Sequence, residues 1–424
     1  MKEKRQKRIR ILFCVLGSIV CFSLCMVWMN SKMEEKETKI DTEKIKVEEE
    51  NTVQGQGEKE YDLFVEDAKK EEVEEECIQW MNRLEDLYGQ EIWKDTADGQ
   101  VSSKMLKKMQ EILSESGYPV ITSQPYSVMK NYKKMETFLK NCLEGIPDSI
   151  VLFHLSGNGG VTRKEYNFDG TSMYLLTARA GWNDSGDPVV SSISYAKIKK
   201  WVYTEKGWFS YELSVPEPPE VSEVVDGTEM IRVIPLAKKY RKLSKKYVLP
   251  LGYRGNNLLC SSWDQNTRNA IDYNGLFEYL YPMKYDRPFD SGKYVQGIPA
   301  EEFEAVIMEY LPVTAEELRE WAAFDDTTQT YLWSGIGNGN SNASYLGTAI
   351  PEVVDRKEKE NGIMVLTVDA VCEGMITDGT AITHKLTIRV AEDGSFQYLG
   401  NQILQENIEE IFPYTYRIFQ NKEQ

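Results

Sequence analysis

Ser149-Ile150-Val151-Leu152-Phe153-His154-Leu155, then Ser156-Gly157-Asn158-Gly159-Gly160, then Val161-Thr162-Arg163-Lys164-Glu165-Tyr166-Asn167-Phe168 and Asp169-Gly170, is the stretch on which the fold turns. Ile150 to Leu155 is a nearly continuous apolar run of buried-strand length, the glycines turn it into Val161 to Phe168, and Asp169-Gly170 turns that into Thr171 to Arg179. Two further strands, Ile193 to Tyr203 and Trp208 to Val215, join at Glu205-Lys206-Gly207. Upstream the apolar period is helical: Ile78, Met81 and Leu84 to Leu87, then Met105, Met109 and Leu113, then Met135, Phe138 and Cys142. Gly117-Tyr118-Pro119 breaks the second helix from the third. Helices first and an antiparallel meander after them is an α+β arrangement.

Pro216-Glu217-Pro218-Pro219-Glu220 is a stiff linker and marks a domain boundary. Beyond it the pattern recurs, with helices over Pro299 to Leu311 and Thr314 to Ala323; Thr314 and Glu317 form a capping-box signature. Phe168-Asp169-Gly170-Thr171 is echoed by Phe324-Asp325-Asp326-Thr327, and Glu205, Gly207, Phe209, Tyr211 by Glu392, Gly394, Phe396, Tyr398 at the same spacing. Turn chemistry alone favours such coincidences. The expectation is two related α+β domains, each with N-terminal helices on a curved antiparallel meander of the nuclear-transport-factor-like or cystatin-like kind.

At the N-terminus a basic tail, residues 1–10, runs into the uncharged apolar stretch Ile11 to Met29, whose 19 residues make a helix of about 28 Å, enough to cross a bilayer. The charge order puts the N-terminus in the cytoplasm and the rest outside. A cleaved signal peptide would show the same order, but no A-x-A-like site follows the span. Residues 30–76 read as an acidic stalk: Glu34 to Glu76 holds 18 acidic and 7 basic residues, most of the chain's net charge of -17. The predicted organisation continues with a first α+β ectodomain over 77–215, a proline-rich linker over 216–226 and a second α+β ectodomain over 227–424, whose first part, 227–297, has no legible architecture. Cys77, Cys142, Cys260 and Cys372 lie outside the span, two per half, so pairs Cys77 with Cys142 and Cys260 with Cys372 fit an oxidising compartment, as do four buried thiols.

Catalytic signatures fail one by one. The two histidines, His154 and His384, sit in apolar strands and read as core residues, and no H-E-x-x-H occurs. Ser194-Tyr195-Ala196-Lys197 matches S-x-x-K, but in a strand positions i and i+3 face opposite sides. There is no D-x-D; Gly335 to Asn340 leads to no phosphate-receiving helix, and Asn338, Asn340 and Asn342 lack the charge of a calcium loop. No metal or cofactor is expected. The acidic balance and the outside location argue against nucleic acid as a partner. One segment runs against the acidic background: Lys238, Lys239, Arg241, Lys242, Lys245 and Lys246, with Tyr247 closing the run, is a candidate surface for an anionic envelope polymer or lipid head groups, and otherwise a solvated amphipathic helix.

With its anchor, its stalk, and stretches such as Val248-Leu249-Pro250-Leu251-Gly252-Tyr253-Arg254-Gly255-Asn256-Asn257 and Ile298-Pro299-Ala300-Glu301-Glu302-Phe303, the chain resembles a group of single-pass envelope proteins of Gram-positive anaerobic bacteria classed as a domain of unknown function. The resemblance implies no activity and no site residues. The residues themselves lead to the expectation of a non-catalytic, membrane-tethered binding or assembly module of the cell envelope, whose partners are the membrane through one helix and an envelope polymer or envelope protein. The alternative is an envelope enzyme that attacks wall polymer with paired carboxylates, which need no histidine.

Overall fold

A computed structural model describes residues 59–92, 100–216, 220–222, 227–337, 345–372, 380–405 and 414–418. The basic tail, the apolar span, the first part of the stalk, most of the proline linker and the asparagine run lie outside them. Among the described residues no helix is long and apolar enough to cross a membrane.

The protein is mixed α+β: a curled seven-stranded half-barrel and two smaller antiparallel sheets, with helices packed against them. The large sheet runs in sequence order through β1 (Val120–Thr122), β2 (Asp148–Leu155), β3 (Val161–Phe168), β4 (Met173–Trp182), β5 (Pro188–Tyr203), β6 (Trp208–Leu213) and β7 (Thr228–Arg232). β1 pairs parallel to β2, through Val120 and Phe153, and every later neighbour is antiparallel. The 16-residue β5 carries the curl: its register shifts against β4 at Arg179/Ala180 and against β6 at Ile198/Lys200, and such bulges bend a strand and raise its twist.

The strands read as apolar runs because both faces are covered. Helices α1 (Asp67–Asn82), α2 (Glu85–Ile92) and α3 (Ser103–Leu113) precede the sheet. α1 buries Val73, Cys77 and Met81, one stripe at helical spacing, and α3 buries Met105, Met109 and Leu113. Both lie on the face that holds Phe153, Leu155, Val161, Leu176 and Ala178. Residues 67–76, which the composition assigns to the stalk, thus belong to a helix on the sheet, and Glu60 is hydrogen-bonded by Lys197 and Ser214. On the other face α4 (Tyr132–Leu143) brings Met135, Phe138 and Leu139 against Leu152, Tyr166, Phe168, Phe209 and Tyr211.

The region that defied sequence reading, 227–297, supplies β7, α5 (Lys238–Tyr247) and the aromatic helix α6 (Tyr273–Tyr285). α6 packs on α7 (Ala300–Tyr310) with Phe277 stacked on Phe303 at 5.3 Å. α8 (Ala315–Trp321) starts with the expected capping box of Thr314 and Glu317. A small sheet is ordered β8 (Ile298–Pro299), β10 (Thr330–Tyr331), β9 (Phe324–Asp325). The last sheet is a four-stranded meander, β11 (Ile350–Glu358), β12 (Ile363–Val371), β13 (Thr380–Val390) and β14 (Phe396–Ile403).

The two echoes in the sequence are matched turns. Asp169 Oδ1 accepts from the amides of Thr171 and Ser172, and Asp325 Oδ1 from those of Thr327 and Thr328. Thr204 accepts from the Gly207 amide and Ala391 from that of Gly394, and both glycines have positive φ, 84° and 86°. The hairpins differ in setting, because β7 pairs beyond β6 whereas β14 is the edge of its sheet.

Candidate functional site

Alternation in the strands builds a site at the open end of the half-barrel. Past the part that α4 covers, the same face points His154, Thr162, Lys164, Thr177, Arg179, Tyr211 and Glu229 into a cavity of about 640 Å³. Cross-strand register places them side by side: Thr162 stands between His154 and Arg179, Lys164 beside Thr177, and Tyr211 opposite Glu229. Lys164 shares its face with Tyr166 and Phe168, so a cation sits at a position the pattern reserves for the core.

Glu229 is the hub. One carboxylate oxygen lies 3.4 Å from His154 Nδ1; the other pairs with the Lys164 ammonium and accepts from the Tyr211 hydroxyl. Tyr166 donates to Tyr211 at 3.4 Å, continuing the chain inward. Burial pushes the Glu229 carboxyl up, but the Lys164 charge and the hydrogen bond from His154 more than reverse it, so the group sits well below the usual carboxylate range. Burial, and after it the Glu229 charge, pushes the Tyr211 and Tyr166 phenols far above their ordinary value. The wall therefore holds a fixed carboxylate, paired with Lys164, and phenols that keep their protons. His154 and Glu229 also line a smaller cavity of about 270 Å³ toward the C-terminal half. There Glu352 accepts from Trp208 Nε1 and pairs with Arg232 at 2.6 Å; outside its lining Lys206 pairs with Asp369 at 2.9 Å.

The wider concavity on the solvent face of β11–β14, about 1050 Å³, is of another kind. Its floor is Ile363 and Val365, its cations Lys357, Lys359 and Lys385 are exposed, and Asp264 and Asp355 stand among them.

The residues singled out in the sequence fall in separate places. In α5, Lys238, Lys239, Lys242, Lys245 and Lys246 are exposed. Arg241 turns inward to donate to Leu236 O at 2.7 Å, and Tyr247 is buried edge-on to Phe396. His384 is the core histidine its strand predicts, bonded to Tyr253 and Asn401, and burial pushes it down to about 4. His154 departs from that reading, because it lines the cavity beside a carboxylate. Ser194 pairs with Thr177 on the cavity side of β5, and strand alternation turns Lys197 away, toward Glu60. Cys77, Cys142, Cys260 and Cys372 are buried free thiols, and neither expected pair is formed. Cys77 and Cys142 lie in helices on opposite faces of the sheet. Among the described residues no group of side chains has metal-holding geometry.

The fold and site define an α+β protein whose half-barrel carries a polar, partly charged cavity at its open end. A family of unknown function, DUF6070, matches residues 70–417, and the chain belongs to it. The match takes in both halves and begins inside α1. No curated protein and no solved structure shows significant similarity to the chain.

Proposed function

We propose that the protein is a membrane-tethered, extracytoplasmic binding module of the cell envelope, and that the half-barrel cavity is its ligand site. One observation carries the reading: neighbouring strands of the curled sheet aim Lys164, Arg179, His154 and a set of hydroxyls into one concave space. Such convergence of a few polar groups in a preformed cleft is what small-molecule sites share. The hydroxyls of Ser156, Thr162, Thr177, Tyr211 and Thr228 in the lining favour a small hydroxyl-rich ligand. Binding is preferred to catalysis on the lining of the cavity, where Glu229 is the one carboxylate among the described residues. Paired-carboxylate hydrolysis needs a second group, which the described lining does not supply, and a glutamate held this far down is a poor proton donor near neutrality.

The test is thermal denaturation of the protein with gluconate and with glycerol phosphate. A ligand at about 100 times its Kd adds roughly 2.7 kcal/mol. The shift should vanish in Arg179→Gln and in Thr177→Val; a shift that survives both, or none with either compound, removes the cavity from the reading. The tether rests on the N-terminal sequence, and protease added to intact cells should remove everything but the N-terminal tail. Two related domains remain part of the proposal, on the observation that β3–β6 and β11–β14 are both four-strand meanders with a register shift between the second and third strands. An experimental structure in which the two meanders fail to superpose would leave only shared turn chemistry.

A further inference from the structure

Helix α5 breaks the rules by which an exposed helix is normally stabilised. Its ten residues, Lys238 to Tyr247, include no acid, its first turn carries Lys238 and Lys239 against the helix dipole, and Ala237 provides no side-chain cap. Lys238 and Lys242 stand at i,i+4, as do Lys242 and Lys246, and like charges so placed repel. Several cations elsewhere find carboxylates, as Arg163, Lys164, Lys197, Arg232 and Arg417 do. Among the described residues Lys238, Lys239, Lys242 and Lys245 make no ion pair, in a chain with 67 acidic residues.

The helix is nevertheless held rigidly. The Val353 amide donates to Ser244 Oγ at 2.9 Å, Tyr247 is buried against Phe396, and Tyr398 donates to Tyr247 O at 2.8 Å. The core fixes one face and leaves a cationic stripe on the other, Lys238, Lys242 and Lys245 at i, i+4 and i+7, within a helix about 15 Å long. No large apolar side chain of α5 is exposed, so nothing in it is built to enter a bilayer.

We propose that the exposed face of α5 is a docking surface for a linear polyanion with closely spaced charges, separate from the half-barrel cavity. The occupant is set by charge complementarity: one extended anionic strand along the stripe neutralises the lysines and relieves their mutual repulsion. A compact anion meets only one or two of them.

The test uses the whole 424-residue chain in mild detergent and long-chain polyphosphate as probe, with inorganic phosphate as control. Four engaged lysines give a log-log salt slope of about -3, so binding should weaken roughly 50-fold from about 50 to 200 mM salt. Acetylation footprinting should show Lys238, Lys239, Lys242 and Lys245 protected by polyphosphate and not by inorganic phosphate. Replacing these four by glutamine should abolish binding and leave the melting temperature unchanged or slightly higher. Lys357→Gln/Lys359→Gln/Lys385→Gln, on the open sheet face, should bind like the parent. Binding that survives the α5 substitutions, or that fails in the sheet-face variant instead, overturns the proposal. Protection of the α5 lysines by phosphatidylglycerol vesicles and not by polyphosphate assigns the surface to lipid and overturns it too.

Discussion

Replacing Lys164 by methionine isolates the ion pair at the centre of the cavity. The ammonium is 8% exposed and its partner Glu229 is 21% exposed, so the substitution leaves a mostly buried carboxylate with His154 and Tyr211 for company. Breaking a fully buried pair costs about 3–5 kcal/mol; with a fifth of the Glu229 side chain in water, about 2–3 kcal/mol is the expected loss at pH 7. For a folded unit spanning residues 58–424, the unfolding entropy of about 2.1 cal/mol/K per residue converts this to a drop in Tm of roughly 3–4 °C.

The pH dependence separates charge from packing. The Glu229 carboxyl is depressed in the folded state, so its contribution is present above the ordinary glutamate value near 4.5 and is lost as pH falls below it. The gap between parent and Lys164→Met should therefore narrow as pH falls below about 4.5, because the unfolded chain takes up a proton there that the folded parent's Glu229 resists. Lys164→Met/Glu229→Gln should recover most of the loss at neutral pH, because no buried charge is then left alone. Calorimetry or circular dichroism melts at several pH values read all three. A gap that stays constant with pH, or a double variant as unstable as the single one, would refute the electrostatic account and make Lys164 a packing residue.

At the contact between the large sheet and β11, burial pushes the Glu352 carboxyl up against the pull of Arg232, so its charge disfavours folding above the ordinary glutamate value and the penalty fades on acidification. Glu352→Gln should then cost less than about 1 kcal/mol and Arg232→Met about 3–5 kcal/mol, in denaturant titrations at pH 7. Burial pushes the Cys77, Cys142 and Cys260 thiols up to about 12, so a thiol reagent near neutrality should leave them unlabelled in the native protein and modify them in guanidinium. Disulfide-linked peptides in the same digest would instead restore the pairing expected from spacing. Thr314→Ala removes the capping box of α8 and should lower stability by about 1 kcal/mol.

The local half of this structure was legible. Short β-type runs marked β2 to β6, glycine and aspartate marked their turns, and Thr314 with Glu317 marked the start of α8, because each signal is confined to a few neighbouring residues. The first strand was not legible: Val120-Ile121-Thr122 is only three residues long and is a strand by virtue of its parallel pairing to β2, 33 residues away in register. Composition misplaced α1 for a related reason. Its outward face is nearly all glutamate and lysine, and the buried stripe of Val73, Cys77 and Met81 is too sparse to stand out before the sheet that receives it is known.

The cavity shows where sequence reading needed one more step of parity. Within Val161 to Phe168 the odd positions Arg163 and Glu165 face the outer helices, where Arg163 pairs with Glu76, and the even positions face inward with Tyr166 and Phe168. Lys164 is even. A lysine on the inward face of a strand buried on both sides must find a carboxylate or a ligand, since an isolated buried charge is not tolerated. That requirement was visible in the residues; the identity of the partner was not, because Glu229 arrives from β7, 65 residues on, beyond the linker. The same parity puts His154 on the cavity side, so its apolar strand neighbours described the opposite face and not its own surroundings. A charged residue whose alternation points it inward is thus a stronger pointer to a site than the histidine count or the catalytic motifs, all of which came up empty, and in this chain it leads to Glu229 by the one route that needs no motif: charge balance inside a closed face.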